Sequence, residues 1–161
     1  MSLPSVRVSQ SPESKFREYL ASRPEPKRFT NQQRDLVEHI FARHKHFDPN
    51  ELIEDLKNAG RQVSRATVYR TLTLLVEAGL LRRIEVGPRT VYDHDYGYPA
   101  HDHLVCDQCQ SMIEFQHARL DEVLREIASE HRFQAETRTL VIRGICAECN
   151  AARAAKRRLL L

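Results

Sequence analysis

His101-Asp102-His103-Leu104-Val105-Cys106-Asp107-Gln108-Cys109 is the stretch around which the rest of the chain can be read. Cys106 and Cys109 form a Cys-x-x-Cys pair, Cys146 and Cys149 form another, and these four are all the cysteines in 161 residues. A two-residue spacer lets both sulfurs of one turn face the same ion, and two such knuckles make the thiolate set of tetrahedral structural zinc. The pairs lie 36 residues apart, so a small subdomain has to fold between them. Disulfides or a redox pair are the alternatives. The N-terminus lacks an apolar signal core, so the expected compartment is cytoplasmic, where thiols stay reduced.

His101 and His103 cannot serve the same ion as the four thiolates. If Leu104-Val105 continue a strand into Cys106, the two imidazoles share one strand face by the period of two. Two histidines on a face are half of a second metal site, and two surface histidines are the plainer alternative. Imidazole with carboxylate suits iron, manganese or zinc, with freer exchange than four thiolates allow.

The length allows one domain or two small ones, and 41% hydrophobic residues support real cores. No apolar run reaches membrane-spanning length, so no membrane partner is expected. A net charge of +3 is too small to argue for nucleic acid by itself, so the distribution of charge has to decide.

Ser11-Pro12 reads as an N-cap and first helical position ahead of Phe16, Tyr19 and Leu20, and Arg23-Pro24-Glu25-Pro26 ends that helix. Thr30 and Gln33 form a capping box for a helix burying Leu36, Val37, Ile40 and Phe41, expected to end in Arg43-His44-Lys45-His46. Asp48-Pro49 starts a helix with Leu52, Ile53 and Leu56, stopped at Asn58-Ala59-Gly60. Ser64 caps a fourth helix running to Ala78, with Gly79 behind it. Leu80 to Val86 and Thr90 to Asp93 read as strands around Gly87-Pro88. Helices followed by a hairpin make a winged helix-turn-helix. The expected fold is therefore α+β: a winged-helix domain over residues 11–93, a linker over 94–100, and a small α/β metal-binding domain over 101–150. In that second domain Leu104-Val105, Met112 to Phe115 and Thr139 to Ile145 are strands, and residues 118–131 are a helix. A basic tail, 151–161, comes last.

The fourth helix is the expected DNA reader. Its core face is Val68, Leu72, Leu75 and Val76; the other stripe is Ala66, Tyr69, Arg70 and Thr73. No acidic residue occurs between Asp55 and Glu77, whereas Lys57, Arg61, Arg65 and Arg70 do. Such a face approaches phosphates without repulsion, and Tyr69 and Thr73 offer contacts to base edges. An ordinary solvated helix is the competing reading; the hairpin behind it favours DNA.

With these parts in place the chain resembles the ferric uptake regulator family of metal-dependent repressors. The motifs are Ala66-Thr67-Val68-Tyr69-Arg70-Thr71-Leu72, Glu77-Ala78-Gly79-Leu80, His101 to Cys109, Ile113-Glu114-Phe115 and Cys146-Ala147-Glu148-Cys149, and the match covers about residues 28–149. The resemblance implies a homodimer paired through the C-terminal halves, presenting two winged helices to palindromic operator DNA, with Arg65, Thr67, Tyr69, Arg70 and Thr73 at the DNA. It implies structural Zn2+ on Cys106, Cys109, Cys146 and Cys149. It implies a regulatory metal on His46, Asp93, His101, His103 and Glu114, with His94 or Asp95 as alternatives to Asp93. Fe2+ is the expected effector, with Mn2+ or Zn2+ as alternatives. The family often has a further site that uses Asp102 and Asp121; Ala100 and Arg138 stand at its outer positions, so Arg138 is expected to pair with those carboxylates instead. Gln33 stands where the family usually has an arginine. Peroxide-sensing relatives carry aspartate where Glu114 stands, which favours iron-responsive repression over peroxide sensing.

Two readings of other classes compete. A metallohydrolase on His101, His103 and Glu114 lacks a glutamate base beside a ligating histidine and an activated nucleophile. A zinc-stapled adaptor that binds only protein would ignore DNA. No enzymatic activity is expected.

Overall fold

The computed structural model describes residues 8–43, 45–135 and 138–158. Contacts divide the described residues into two compact units that meet between Pro99 and Ala100 in the chain.

The first unit is a winged helix-turn-helix. Four helices, α1 (Pro12–Ser22), α2 (Asn31–Phe41), α3 (Pro49–Asn58) and α4 (Arg65–Glu77), precede the hairpin of β1 (Leu81–Val86) and β2 (Arg89–His94). Each helix starts where a side chain satisfies its orphan amides. Ser11 caps α1, Thr30 and Gln33 close a capping box on α2, Asp48 and Glu51 do so on α3, and Ser64 caps α4. Gly60 and Gly79 take positive φ just past α3 and α4, as helix stops require. α2 ends at Phe41 rather than continuing to His46, because Ala42 already closes the last turn onto Glu38. His44 lies outside the described residues.

The core of this unit is Leu36, Val37, Ile40, Leu52, Leu56, Val68, Leu72 and Leu75, together with Phe16 and Leu20 from α1. Phe16 and Leu20 are fully buried, at about 1.5–3 kcal/mol each, so α1 is part of the domain rather than an appendage. Tyr19 of α1 and Arg23 just past its end both donate to Glu77 at the end of α4, each at 2.6 Å.

The second unit holds β3 (Asp102–Cys106), β4 (Met112–Phe115), α5 (Ala118–Glu130), β5 (Val141–Gly144) and α6 (Ala147–Arg158). β3 is central, antiparallel to β4 and parallel to β5. The strand expected over Thr139 to Ile145 is shorter, because only Val141–Gly144 pairs with β3. Apolar residues here stay open: Leu104 pairs with both Ile113 and Ile142, and all three are exposed, as are Val123 and Ile127 on α5. No residue of α5 is buried.

Candidate metal centres and nucleic-acid interface

β-Pairing explains how cysteines so distant in sequence meet. Cys106 ends β3 and lies opposite Gly144, the last residue of β5, in a parallel register. Asp107 N donates to Gly144 O at 2.8 Å, fixing the two chain exits side by side. Cys109 comes one turn after Cys106, helped by Gln110 at φ +59°, and Cys146 comes two residues after Gly144, with Cys149 in the first turn of α6. One sulfur from each of the four lies within 4.8 Å of the others, and Cys109 and Cys146 are 3.8 Å apart. A disulfide needs about 2.05 Å; four sulfurs at about 2.3 Å from one Zn2+ stand about 3.8 Å apart in a tetrahedron. The donor set fits zinc. Backbone amides of Cys109 and Cys146 hold the Cys106 thiol down at about 6, whereas the crowding of neighbouring sulfurs pushes Cys149 up to about 12. A dication is what allows such a cluster to ionise together.

His46 and Asp93 are brought together inside the first unit by a pairing the sequence did not announce. Phe47 and Tyr92 form an isolated antiparallel bridge, with N–H···O distances of 3.2 and 2.8 Å, and their rings stack at 5.9 Å. The residue before Phe47 and the residue after Tyr92 thereby meet. His46 Nε2 lies 3.4 Å from Asp93 Oδ1, and the other carboxylate oxygen, Oδ2, accepts from Arg82 Nε at 2.8 Å. His94 is differently employed: its Nε2 contacts Ile40 O at 3.0 Å, and its ring packs edge-on against Phe41 and Tyr98. Asp95, partly exposed, lies 4.0 Å from the same guanidinium.

In the second unit His101 and His103 share a face with ring centroids 5.0 Å apart, as strand alternation requires. Glu114 lies directly across from His103 in the β3–β4 register. One donor atom from each of these three lies within 4.8 Å of the others, and both histidines are buried. Two imidazoles and a carboxylate on rigid strands are a fitting start for a divalent ion that prefers nitrogen and oxygen.

On α4 the expected reading stripe faces outward. Arg65, Ala66, Tyr69, Arg70 and Thr73 are exposed, Tyr69 at 42%, and Thr67 is half-buried. Arg65 donates to Asn50 of α3 and its guanidinium lies 5.9 Å from the Tyr69 ring centre, so the pair is held rather than loose. Thr73 Oγ1 bonds back to Tyr69 O at 3.1 Å.

Known proteins share this fold. A profile of the ferric uptake regulator family matches residues 26–143. The chain belongs to the ferric uptake regulator family. It is 32% identical over 125 residues to the ferric uptake regulation protein of Campylobacter jejuni, covering 76% of this chain and 80% of that one. It is 26% identical over 141 residues to the peroxide-responsive repressor PerR of Staphylococcus aureus, covering 87% and 95%. Among solved structures, the ferric uptake regulator of Pseudomonas aeruginosa with manganese superposes with a TM-score of 0.74 at 26% identity, covering 86% and 99%. This is a family of metal-responsive transcription regulators.

Within this family's framework several positions depart from expectation or sharpen it. Arg138 pairs with both carboxylates, at 2.8 Å from Asp102 and 2.5 Å from Asp121. Gln33 is committed to the α2 capping box through Thr30, and Arg34 beside it pairs with Glu13, so neither is a ready substitute for a phosphate-binding arginine. Arg61, counted with the basic residues around α4, is paired with Asp35 and Glu38 of α2. Charge offset across helices is invisible when acidic residues are counted along the chain. Arg82 does not stand out in the sequence; the hairpin register is what places it opposite Asp93.

Proposed function

We propose that this chain is an iron-responsive repressor that binds palindromic operator DNA as a homodimer, with Zn2+ on its four cysteines as a folding element. The observation that carries the reading is the partition of five nitrogen and oxygen donors. His46 and Asp93 are held together in the winged-helix unit; His101, His103 and Glu114 are held together in the other. Joining them in one coordination sphere would couple the orientation of the DNA-reading unit to metal supply. Metal then acts as a ligand of the DNA-competent conformation, and DNA tightens metal binding by the same factor. Fe2+ is favoured, with Mn2+ next, because every donor is imidazole or carboxylate and all four cysteines are committed elsewhere.

The exposed sheet face of Leu104, Ile113 and Ile142 supports pairing with a second copy, since an apolar face on so small a unit needs a cover. In such a dimer Arg65, Thr67, Tyr69, Arg70 and Thr73 would enter half-sites about one helical turn apart. Among the described residues no helix is long and apolar enough to cross a membrane.

The test is His101→Ala, purified anaerobically, with each divalent ion added back. The variant should keep one zinc per chain and its oligomeric state, and lose metal-activated operator binding. Fully metal-dependent binding by that variant would move the regulatory site elsewhere. Loss of zinc together with DNA binding would merge the two sites.

A further inference from the structure

We propose that Arg82 sets the metal threshold of this regulator by placing a permanent positive charge against Asp93, an inference that rests on Asp93 being a ligand as proposed above. Arg82 and Asp93 face each other across the β1–β2 hairpin, and the Arg82 Nε donates to Asp93 Oδ2 at 2.8 Å. Both side chains are nearly enclosed, at 9% and 6% exposure. A guanidinium does not lose its proton, and salt screens a buried pair little.

One contact has two effects, and they oppose each other. By holding Oδ2, Arg82 leaves Oδ1 on the side of His46, 3.4 Å from its Nε2, so the carboxylate offers a defined oxygen. A hydrogen bond that orients a ligating carboxylate raises affinity. The positive charge, one carboxylate away from a bound dication, lowers it. Charge dominates here because any neutral donor at position 82 could hold Oδ2 in the same way, whereas only a cation there repels the metal ion. Asp95, at 4.0 Å and partly exposed, gives Arg82 a second carboxylate when Asp93 turns to metal. The result is a site that is stable without metal and fills only at a raised concentration. Arg83, next in sequence, is a built-in control: it is exposed and pairs with Glu85 at 2.6 Å.

The experiment titrates Mn2+ into full-length protein carrying its zinc. Arg82→Gln keeps a donor for Asp93 and removes the charge, and should tighten Mn2+ binding about tenfold or more. Arg82→Lys and Arg83→Gln should stay within about threefold of the unaltered protein. Arg82→Gln that is folded and binds Mn2+ equally or more weakly overturns the inference. Should Arg82→Gln not fold, Asp95→Asn carries the test: it strips the guanidinium of its second carboxylate and should weaken Mn2+ binding, and an unchanged affinity overturns the idea. Asp93→Asn separates the two claims. If it leaves Mn2+ affinity unaltered, the ligand assignment is what fails, whatever Arg82 does.

Discussion

The Arg138 guanidinium meets the carboxylate of Asp102 at 2.8 Å, and Asp102 is fully buried between His101 and His103. Its other terminal nitrogen reaches Asp121 on α5, so one side chain ties the helix to the strand that carries His103 and follows His101. Removing one partner of a buried pair strands the other charge. Arg138→Ala should destabilise the second unit by about 3 kcal/mol, somewhat less than a fully buried pair because Arg138 is 25% exposed. Denaturant melts would show it. Asp102→Asn in the same chain should restore part of the loss, and a simple addition of the two penalties would deny the coupling.

The four-cysteine cluster is expected to hold the second unit together. With no buried residue in α5, the sheet and helix have little core of their own. Cys106→Ser and Cys149→Ser should each lose zinc and yield a poorly folded or monomeric protein, read by metal analysis and sedimentation. A well-folded, zinc-free dimer with normal DNA affinity would refute a folding role.

Much of this was legible along the chain because the signals are local. Ser11, Thr30 with Gln33, Asp48 and Ser64 each announce a helix start, and each caps one. The Cys-x-x-Cys pairs and the alternation of His101 and His103 depend only on nearest neighbours. What stayed hidden depends on pairing between distant segments. The Phe47–Tyr92 bridge that seats His46 beside Asp93 has no sequence signature, and neither has the Arg82–Asp93 pair. Arg61 is the reverse case. Along the chain it reads as one more cation for phosphates, because its partners, Asp35 and Glu38, lie on another helix.

For DNA, the two arginines of α4 are expected to differ. Arg70 is exposed, and Arg70→Ala should lower the slope of log affinity against log salt by about one unit while weakening all sequences alike. Arg65 is braced by Asn50 and lies beside Tyr69, so Arg65→Ala should weaken binding and also disturb what Tyr69 reads. Tyr69→Ala should relax sequence preference with little change in salt slope. Unchanged affinity and slope in the Arg65→Ala, Arg70→Ala double variant would place the interface elsewhere.

The choice between iron and peroxide as the signal turns on Glu114. It lies opposite His103, and its side chain is one methylene longer than the aspartate that the family resemblance implies for peroxide sensors. If the longer arm brings the carboxylate over the imidazole pair, a peroxide-sized ligand has less room at the ion. Iron-loaded protein exposed to hydrogen peroxide should keep its operator affinity, and mass spectrometry should find no added oxygen on the peptides bearing His46 or His101. Glu114→Asp draws the carboxylate back and should make one of those histidines oxidisable, with DNA released in step. Oxidation of His46 or His101 in the unaltered protein, at peroxide concentrations that also release DNA, would make this chain a peroxide sensor instead.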